Sequence, residues 1–190
     1  NSRSDLLVFG KRAGEHAARY AREQQQGKIS DAEISAAAKT ALEPFERAAK
    51  SKGDAGGPFQ IQQRLQELMQ DNVGIVRTEK EMAHAIAGVE KLKEEAARVA
   101  CDGNREYNSG WHTSLDLGNL LIVSEAIARS AIERKESRGG HFREDYPDKD
   151  ASYGKMNFVI QKGSDGAMKL IKQPLREVRA DLKQIIEEMK

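Results

Sequence analysis

Apolar residues recur every three or four positions in three segments of the central part of the chain. They are Ile61, Leu65, Leu68 and Met69; Met82, Ile86, Val89, Leu92, Ala96 and Val99; and Leu117, Leu120, Leu121, Ile127, Ala128 and Ala131. This spacing places the apolar side chains on one face of a helix, so each segment predicts an amphipathic α-helix. Because short connections between long helices favour antiparallel neighbours, we expect an antiparallel, spectrin-repeat-like three-helix bundle within residues 58–150.

Capping residues mark the limits of the second of these helices. Thr78 and Glu81 have the spacing of a capping box, which predicts a helix start at this point. The Asp-Gly-Asn run at 102–104 predicts the end of the same helix. The third helix is then expected to begin near Trp111.

Two further helices are predicted before the bundle. Apolar residues near helical spacing indicate one helix over residues 4–25. Ser30 and Glu33 form a second capping box, at the start of a helix that runs toward Lys50 and that Pro44 is expected to kink or split in two. Since the following residues are rich in glycine and end in Pro58, they predict a linker. Residues 1–52 are therefore expected to form a separate N-terminal helical segment.

The pattern changes after Pro147. Residues 156–162 and 167–172 flank a glycine-containing turn and predict a β-hairpin. A closing helix is predicted by apolar residues at heptad-like spacing, namely Leu175, Val178, Leu182, Ile185, Ile186 and Met189. The predicted fold class is thus mainly α, with N-terminal flanking helices, the bundle, and a C-terminal hairpin plus helix over 151–190.

A dense polar run, ESRGGHFREDYP at 136–147, separates the bundle from the hairpin. Its two glycines permit positive φ angles and are expected to end the preceding helix. An exposed ion pair contributes about 0 to 1 kcal/mol, so a run this rich in charge favours docking against another surface over stabilising itself. A solvated loop held by local salt bridges is the alternative. The candidate interface residues are Arg138, His141, Arg143 and Asp145.

Acid–base chemistry has one candidate set in this run, His141 with Glu144 and Asp145. The alternative is that these side chains have no catalytic role, and we expect no catalytic residue in the chain. His16 and His84 are expected on helix surfaces and His112 near a helix start, without the spacing of a metal site.

Composition excludes several classes of function. The chain carries 31 basic and 30 acidic residues, and because they are interspersed we expect no nucleic-acid binding. Cys101 is the only cysteine, so neither an internal disulfide nor a multi-cysteine metal site can form. No stretch approaches the roughly 20 apolar residues that a membrane-spanning helix needs. The chain opens at Asn1, which is consistent with a segment of a longer polypeptide.

Several blocks of the sequence, in order, are similar to one enzyme family. Residues 1–14, NSRSDLLVFGKRAG, resemble the NSLxDLLVFGRRAG segment of succinate dehydrogenase and fumarate reductase flavoprotein subunits. Residues 58–77 and 115–139 resemble the helical C-terminal region of these subunits, and 136–147 resembles their ESRGxHxREDYP segment. The resemblance covers roughly residues 1 to 150. Arg3 departs from the usual leucine, and the tryptophan-containing continuation is not seen after Asp150.

This resemblance implies a part of a larger enzyme. The family interconverts succinate and fumarate by hydride transfer to or from FAD and passes electrons to an iron–sulfur subunit. It implies a peripheral subunit on the cytoplasmic side of the cell membrane, indirectly connected to a membrane anchor. Residues 1–52 would then be the end of the flavin-binding domain and its connection, and the bundle would brace that domain.

The same resemblance assigns a cofactor contact to Ser2 and Arg3, which match the pair that meets the flavin ring at a helix start. A helix N-terminus offers free N–H groups and partial positive charge, which suit a reduced flavin. The dinucleotide-binding and capping domains of the family are not in this sequence. We therefore expect the chain alone to bind no FAD and to be inactive.

Two other functions remain open at this stage. L-Aspartate oxidase also ends in a three-helix domain and carries an ESRGxHxxxDYP run, although Arg143 and Glu144 favour the succinate/fumarate branch. The other alternative is a free-standing helical interaction module with no redox role, in which the polar run is a partner-binding loop.

Overall fold

The computed structural model describes residues 2–50 and 57–189. The helices are α1 (Ser2–Glu23), α2 (Asp31–Lys50), α3 (Pro58–Val73), α4 (Glu79–Ala96), α5 (Ser109–Glu133) and α6 (Ala180–Glu188). The strands are β1 (Val76–Arg77), β2 (Phe142–Arg143), β3 (Met156–Lys162) and β4 (Met168–Pro174). The fold is mainly α, as predicted. Most of the predicted linker, residues 51–56, lies outside the described residues.

Helices α3, α4 and α5 form the predicted antiparallel bundle around two buried clusters. We call the first the apolar layer, and it contains Ile61, Leu65, Val89, Leu92, Val99, Leu117 and Leu121. The second contains Val73, Met82, Ala85, Ala128 and Ala131. The start of α3 thus packs with the end of α4 and the start of α5, and the opposite ends meet in the second cluster. Because the start of each helix lies beside the end of the helix next to it in sequence, α3 and α4 are antiparallel, and so are α4 and α5.

Helix α4 begins at the predicted capping box. The Thr78 Oγ1 accepts a hydrogen bond from the backbone N–H of Glu81 at 3.3 Å, and the Glu81 carboxylate accepts one from the Thr78 N–H at 3.1 Å. The predicted helix end at 102–104 is wrong, because α4 stops at Ala96. Val99 fits the apolar spacing of α4 because its side chain packs into the core from the turn that follows the helix. Its carbonyl accepts a 2.7 Å hydrogen bond from Arg47 Nε.

Helix α2 passes through Pro44 without interruption, so the expectation that Pro44 splits it is wrong. Its second half is anchored on the bundle. Pro44 is buried, its carbonyl accepts a 3.0 Å bond from the Cys101 N–H, and the rings of Phe45 and Trp111 lie 5.4 Å apart. These contacts hold the helical path across the missing proline N–H. The Ser30–Glu33 capping box is present at the start of α2.

The described residues divide into two compact units, Asn1–Ala41 and Leu42–Lys190. In the first unit every residue from 3 to 40 is exposed, including the apolar Leu6, Leu7 and Phe9. Within residues 3–40, neither α1 nor the first part of α2 buries a side chain. Their stability therefore depends on helix propensity and capping, or on a cover that this chain does not supply.

The hairpin of β3 and β4 is antiparallel and is confirmed, with Met156 paired to Pro174 and Lys162 to Met168. It lies along the C-terminal half of α5, where Lys172 Nζ approaches Glu133 Oε1 at 2.6 Å and the Arg134 guanidinium covers the Phe158 ring at 4.8 Å. An isolated hairpin is marginal in water, and these contacts supply its support.

The predicted closing helix is shorter than its apolar pattern. Helix α6 begins at Ala180, and residues 175–179 are not helical. The N–H of Leu175 donates a 2.9 Å bond to the Lys155 carbonyl, which keeps this segment beside the start of the hairpin. Leu175 and Val178 therefore lie outside the helix that their spacing predicts.

Candidate functional site

The polar run folds back onto the connection between α3 and α4. Strands β1 and β2 form a two-residue parallel pair in which Val76 lies opposite Phe142 and Arg77 opposite Arg143. The Glu144 N–H extends the pairing with a 3.0 Å bond to the Arg77 carbonyl. The apolar pattern does not predict this sheet. We call the region formed by residues 77–79 and 134–150 the polar corner.

A tight turn leads into β2. Arg138 and His141 exchange both backbone hydrogen bonds, at 2.8 and 3.0 Å, so Gly139 and Gly140 are the central residues of the turn. Gly139 has a φ of 60°, whereas Gly140 is not in the positive-φ region. A positive φ at the first central residue only is the signature of a type II′ turn, and it explains a glycine at 139.

Arg143 is the centre of the polar corner and is completely buried. Its Nε and Nη2 donate a bidentate pair of hydrogen bonds to the Asp145 carboxylate at 2.6 and 2.7 Å. Its Nη1 reaches the carbonyls of Ile132 and Arg134, at 3.0 and 3.3 Å, at the C-terminal end of α5. A buried guanidinium is tolerated because all these donors are satisfied and because the helix end carries partial negative charge.

Asp145 connects this arginine to α4. Its Oδ2 accepts a 2.8 Å hydrogen bond from the backbone N–H of Glu79, the first residue of α4. Hydrogen bonding to Arg143, followed by the bond from Glu79, lowers the pKa of Asp145 to about 2. The first N–H groups of a helix have no intrahelical partner, so Asp145 and the capping box together satisfy the start of α4.

Glu136 is a second, fully buried carboxylate. Its Oε1 accepts hydrogen bonds from Arg134 at 2.6 Å and Arg138 at 2.8 Å, and its Oε2 accepts them from Arg138 at 3.0 Å and the Asp150 N–H at 2.9 Å. The hydrogen bonds from Arg138 are the main reason that the pKa of Glu136 falls to about 2. Four donors on two oxygens explain how this charge is buried.

The His141 ring contacts both the segment before α4 and the segment after α5. Its Nδ1 lies 2.9 Å from Arg77 Nη1 and its Nε2 lies 3.0 Å from the Arg134 carbonyl. Since a guanidinium only donates and a carbonyl only accepts, the ring must be neutral with its proton on Nε2. Burial, and then the neighbouring cations of Arg77, Arg143 and Arg134, lowers the pKa of His141.

These contacts do not assemble the acid–base set that the sequence suggested. The described partners of the His141 ring are Arg77 and Arg134, whereas the Asp145 carboxylate binds Arg143 and the start of α4. The buried Glu136 and the partly exposed Asp145 are both ionised well below neutral pH. The geometry instead forms a set of ion pairs and hydrogen bonds, centred on Arg143 and Asp145, that joins α4, α5 and the polar run. We call this set the clamp.

The structure brings together three of the four predicted interface residues, Arg143, Asp145 and His141, around the ends of α4 and α5. Arg138 is partly exposed, with 39% of its side chain accessible, and the Asp145 side chain is 30% accessible. Of the predicted cofactor pair, Ser2 begins α1 and Arg3 is exposed in its first turn.

Sequence reasoning missed Glu136, Arg134 and Arg77 as members of this cluster. Glu136 directly follows α5 inside the recognised run, which is a signal that could have suggested a helix-end contact. Arg77 immediately precedes the capping box of α4, but it lies 64 residues from His141 along the chain. No local pattern pairs residues so far apart.

Within the described residues, no group of three His, Cys, Asp or Glu side chains is placed to hold a metal ion. No helix in residues 2–50 and 57–189 is long and apolar enough to cross a membrane.

Comparison with known proteins gives a consistent result. The family described as fumarate reductase flavoprotein C-term matches residues 62–185. The fumarate reductase flavoprotein subunit of Haemophilus influenzae is 35% identical over 151 residues, which are 79% of this chain and 25% of that protein. The corresponding Mycobacterium tuberculosis subunit is 32% identical over 173 residues, covering 90% of this chain and 30% of its own length.

Solved structures agree with the sequence matches. The Mycobacterium smegmatis Sdh1 complex with UQ1 contains a chain that superposes with a TM-score of 0.87 and 38% identity, over 98% of this chain and 31% of that one. Escherichia coli quinol fumarate reductase gives a TM-score of 0.74 and 29% identity, over 94% and 31%. The chain thus spans about a quarter to a third of the length of these relatives. The predicted resemblance is confirmed and is favoured over L-aspartate oxidase: the chain belongs to the succinate dehydrogenase and fumarate reductase flavoprotein family, as a C-terminal domain.

Proposed function

We propose that this chain is the C-terminal part of an FAD-dependent subunit that interconverts succinate and fumarate and passes electrons to an iron–sulfur subunit. The observation that carries this proposal is the family match over residues 62–185, which contains the entire polar corner and hairpin. The whole enzyme would be a peripheral subunit on the cytoplasmic side of the membrane.

Within that enzyme the chain acts as a brace rather than as a catalyst. The carboxylates of Glu136 and Asp145 each have charged partners, and their lowered pKa values keep them ionised, so neither is suited to transfer a proton near neutral pH. The apolar layer and the polar corner fix the helices at both ends of the bundle. A rigid bundle of this kind supports a neighbouring domain by offering it a fixed surface to pack against.

The start of α1 fits one contact with FAD, a cofactor that supplies a hydride-accepting ring when bound. Its first N–H groups have no partner within the helix, and the Arg3 side chain is exposed beside them. Ser2 and Arg3 would hold an anionic edge of the flavin there through backbone amides. Because residues 3–40 are all exposed, this segment supplies only one side of a site. The remaining walls would come from the flavin-binding and capping domains.

The enzymatic proposal is tested with the longer polypeptide that contains this chain. We expect it to retain FAD and to reduce fumarate or oxidise succinate, whereas the 190-residue chain should retain no flavin after gel filtration. Flavin absorbance and assays with succinate, fumarate and aspartate measure this. Oxygen-dependent aspartate oxidation without fumarate reduction would contradict the proposal, and so would stoichiometric flavin on the short chain.

For the interface we propose a division of roles. His141, Arg143 and Asp145 hold the polar corner in shape, and the partly exposed Arg138 contacts the flavin-binding domain or the iron–sulfur subunit. Arg138→Met removes two donors from Glu136 and should lower the stability of the short chain, but without denaturant that chain should keep its helical circular dichroism. Recovery of the iron–sulfur subunit with the longer polypeptide should fall. Arg105→Met, at an exposed position, is the matched control. Unchanged recovery, or unfolding of the short chain, would contradict a contact role for Arg138.

A further inference from the structure

The small sheet of the polar corner has one covered face and one bare face. Arg77 and Arg143 are register partners on the covered side, where Arg143 is fully buried and Arg77 Nε donates a 2.7 Å bond to the Gly74 carbonyl. The other pair is exposed. Val76 is 52% accessible and Phe142 41%, and the preceding Ile75 is 81% accessible.

Parallel strands normally occur with both faces covered, and a pair this short has little stability of its own. Val76 and Phe142 lie directly opposite each other, so their side chains form one continuous apolar surface. The backbone beneath is fixed by the Gly139 turn and by the bond from the Arg143 N–H to Ser137 Oγ at 2.8 Å. A rigid apolar surface loses little entropy when a partner covers it.

We propose that Ile75, Val76 and Phe142 form a contact surface that packs against the part of the same polypeptide preceding this domain. The inference rests on the proposed function, and it names the partner of the polar corner. The charged groups around Arg143 and Glu136 are already paired within the domain. The surface that covers Val76 and Phe142 is therefore expected to be apolar.

The length of the relatives favours a covalently connected occupant. The match covers 31% of the M. smegmatis chain and belongs to a C-terminal family, so most of such a subunit precedes it. An independent partner or a second copy would need an interface of roughly 1,000 Å² or more, which three side chains do not provide. A connected segment needs far less, because its effective concentration is high.

Thiol accessibility tests the proposal. In a Cys101→Ser background, Val76→Cys and Phe142→Cys are made one at a time in the short chain and in the longer flavoprotein polypeptide. Maleimide labelling is timed for both, with and without the iron–sulfur subunit. Glu106→Cys, at an exposed loop position, is the control.

We expect rapid labelling of all three cysteines in the short chain. In the longer polypeptide alone, labelling at 76 and 142 should slow by about tenfold or more, as required by a protective opening step, while Glu106→Cys keeps its rate. Equal rates in both contexts would overturn the proposal, and so would protection that appears only with the iron–sulfur subunit. Flavin content and turnover, measured on the same samples, report separately on the proposed function.

Discussion

The apolar layer and the polar corner hold the same three helices by different physical means. In the apolar layer, side chains such as Leu117 and Leu121 are 1% and 2% exposed and stabilise by the area they remove from water. In the polar corner, Arg143 and Glu136 are just as buried, but each of these two charges has directed hydrogen-bond partners. The stability of the apolar layer depends on how well its side chains fill the core, and that of the polar corner depends on the directions of its hydrogen bonds and ion pairs. The two regions should therefore respond differently to substitution and to pH.

The largest effect is expected from Arg143→Met. Methionine has a similar reach but leaves Asp145 without its bidentate partner and the end of α5 without its donors. Breaking an ion pair on one side costs about 3–5 kcal/mol where both charges are buried, and because Asp145 is partly exposed we expect a loss toward the lower end of that range. Urea unfolding at pH 7, followed by circular dichroism, measures the loss. Arg105→Met should stay within about 0.5 kcal/mol of the parent, and a loss below about 1 kcal/mol for Arg143→Met would show that the clamp contributes little.

In the apolar layer, Leu121→Ala should cost about 2–5 kcal/mol because it leaves a cavity in the core. Leu120→Ala, at a position 38% exposed on the same helix, is the matched control and should cost clearly less. The same urea titration at low and high salt sharpens the comparison. The Leu121→Ala loss should not change with salt, and a strong salt dependence would contradict its assignment to packing.

Lowering the pH should reduce the stability that the polar corner contributes but not the stability that the apolar layer contributes. The pKa of Glu136 falls from its ordinary 4.5 to about 2, and that of Asp145 from 3.8 to about 2. A carboxylate with a depressed pKa in the folded state contributes stability that is present above its unfolded pKa. That contribution is lost as the pH falls through about 4.5 toward about 2.

We expect the urea midpoint of the parent chain to decline between pH 5 and pH 2, and that of Glu136→Gln to decline less steeply from a lower value. The Leu121→Ala chain should retain the parental slope, as should Asp116→Asn, which changes an exposed carboxylate. A Glu136→Gln slope equal to that of the parent would contradict the assignment of the acid response to the polar corner.

The smallest effect concerns the turn into β2. Gly139 has a φ of 60°, so Gly139→Ala should cost about 1–2 kcal/mol of backbone strain. Gly140→Ala is a close control, because neither glycine has a neighbouring atom within 4 Å of an added Cβ and only Gly139 has a positive φ. Equal unfolding midpoints for the two variants would show that the turn conformation is not fixed.

The apolar layer was predictable and the polar corner was not, for a physical reason. Helical periodicity is a local property, so residues such as Ile61, Val89 and Leu117 identify their core face from sequence alone. Both capping boxes are local as well. The burial of Arg143 and Glu136 instead results from residues 134–150 folding back on the end of α5 and the start of α4, and their partners follow no helical or strand spacing. Charged residues are expected at the surface unless their partners are known.

The same distinction explains the errors at the helix ends. The apolar pattern continues to Val99 because that side chain packs into the core, and a residue in a turn can do so as well as one in a helix. The end of α4 is set by backbone hydrogen bonding, which stops the helix at Ala96. Similarly, the spacing of Leu175 and Val178 indicates a common apolar side but not the backbone bond that keeps Leu175 beside Lys155.

The pair formed by Arg143 and Asp145 spans from the last turn of α5 to the first residue of α4. Its cation lies at the negative pole of one helix and its anion at the positive pole of the next, so a single pair of side chains neutralises two helix dipoles at once. The separation of these helix ends is consequently fixed by the length of the two side chains.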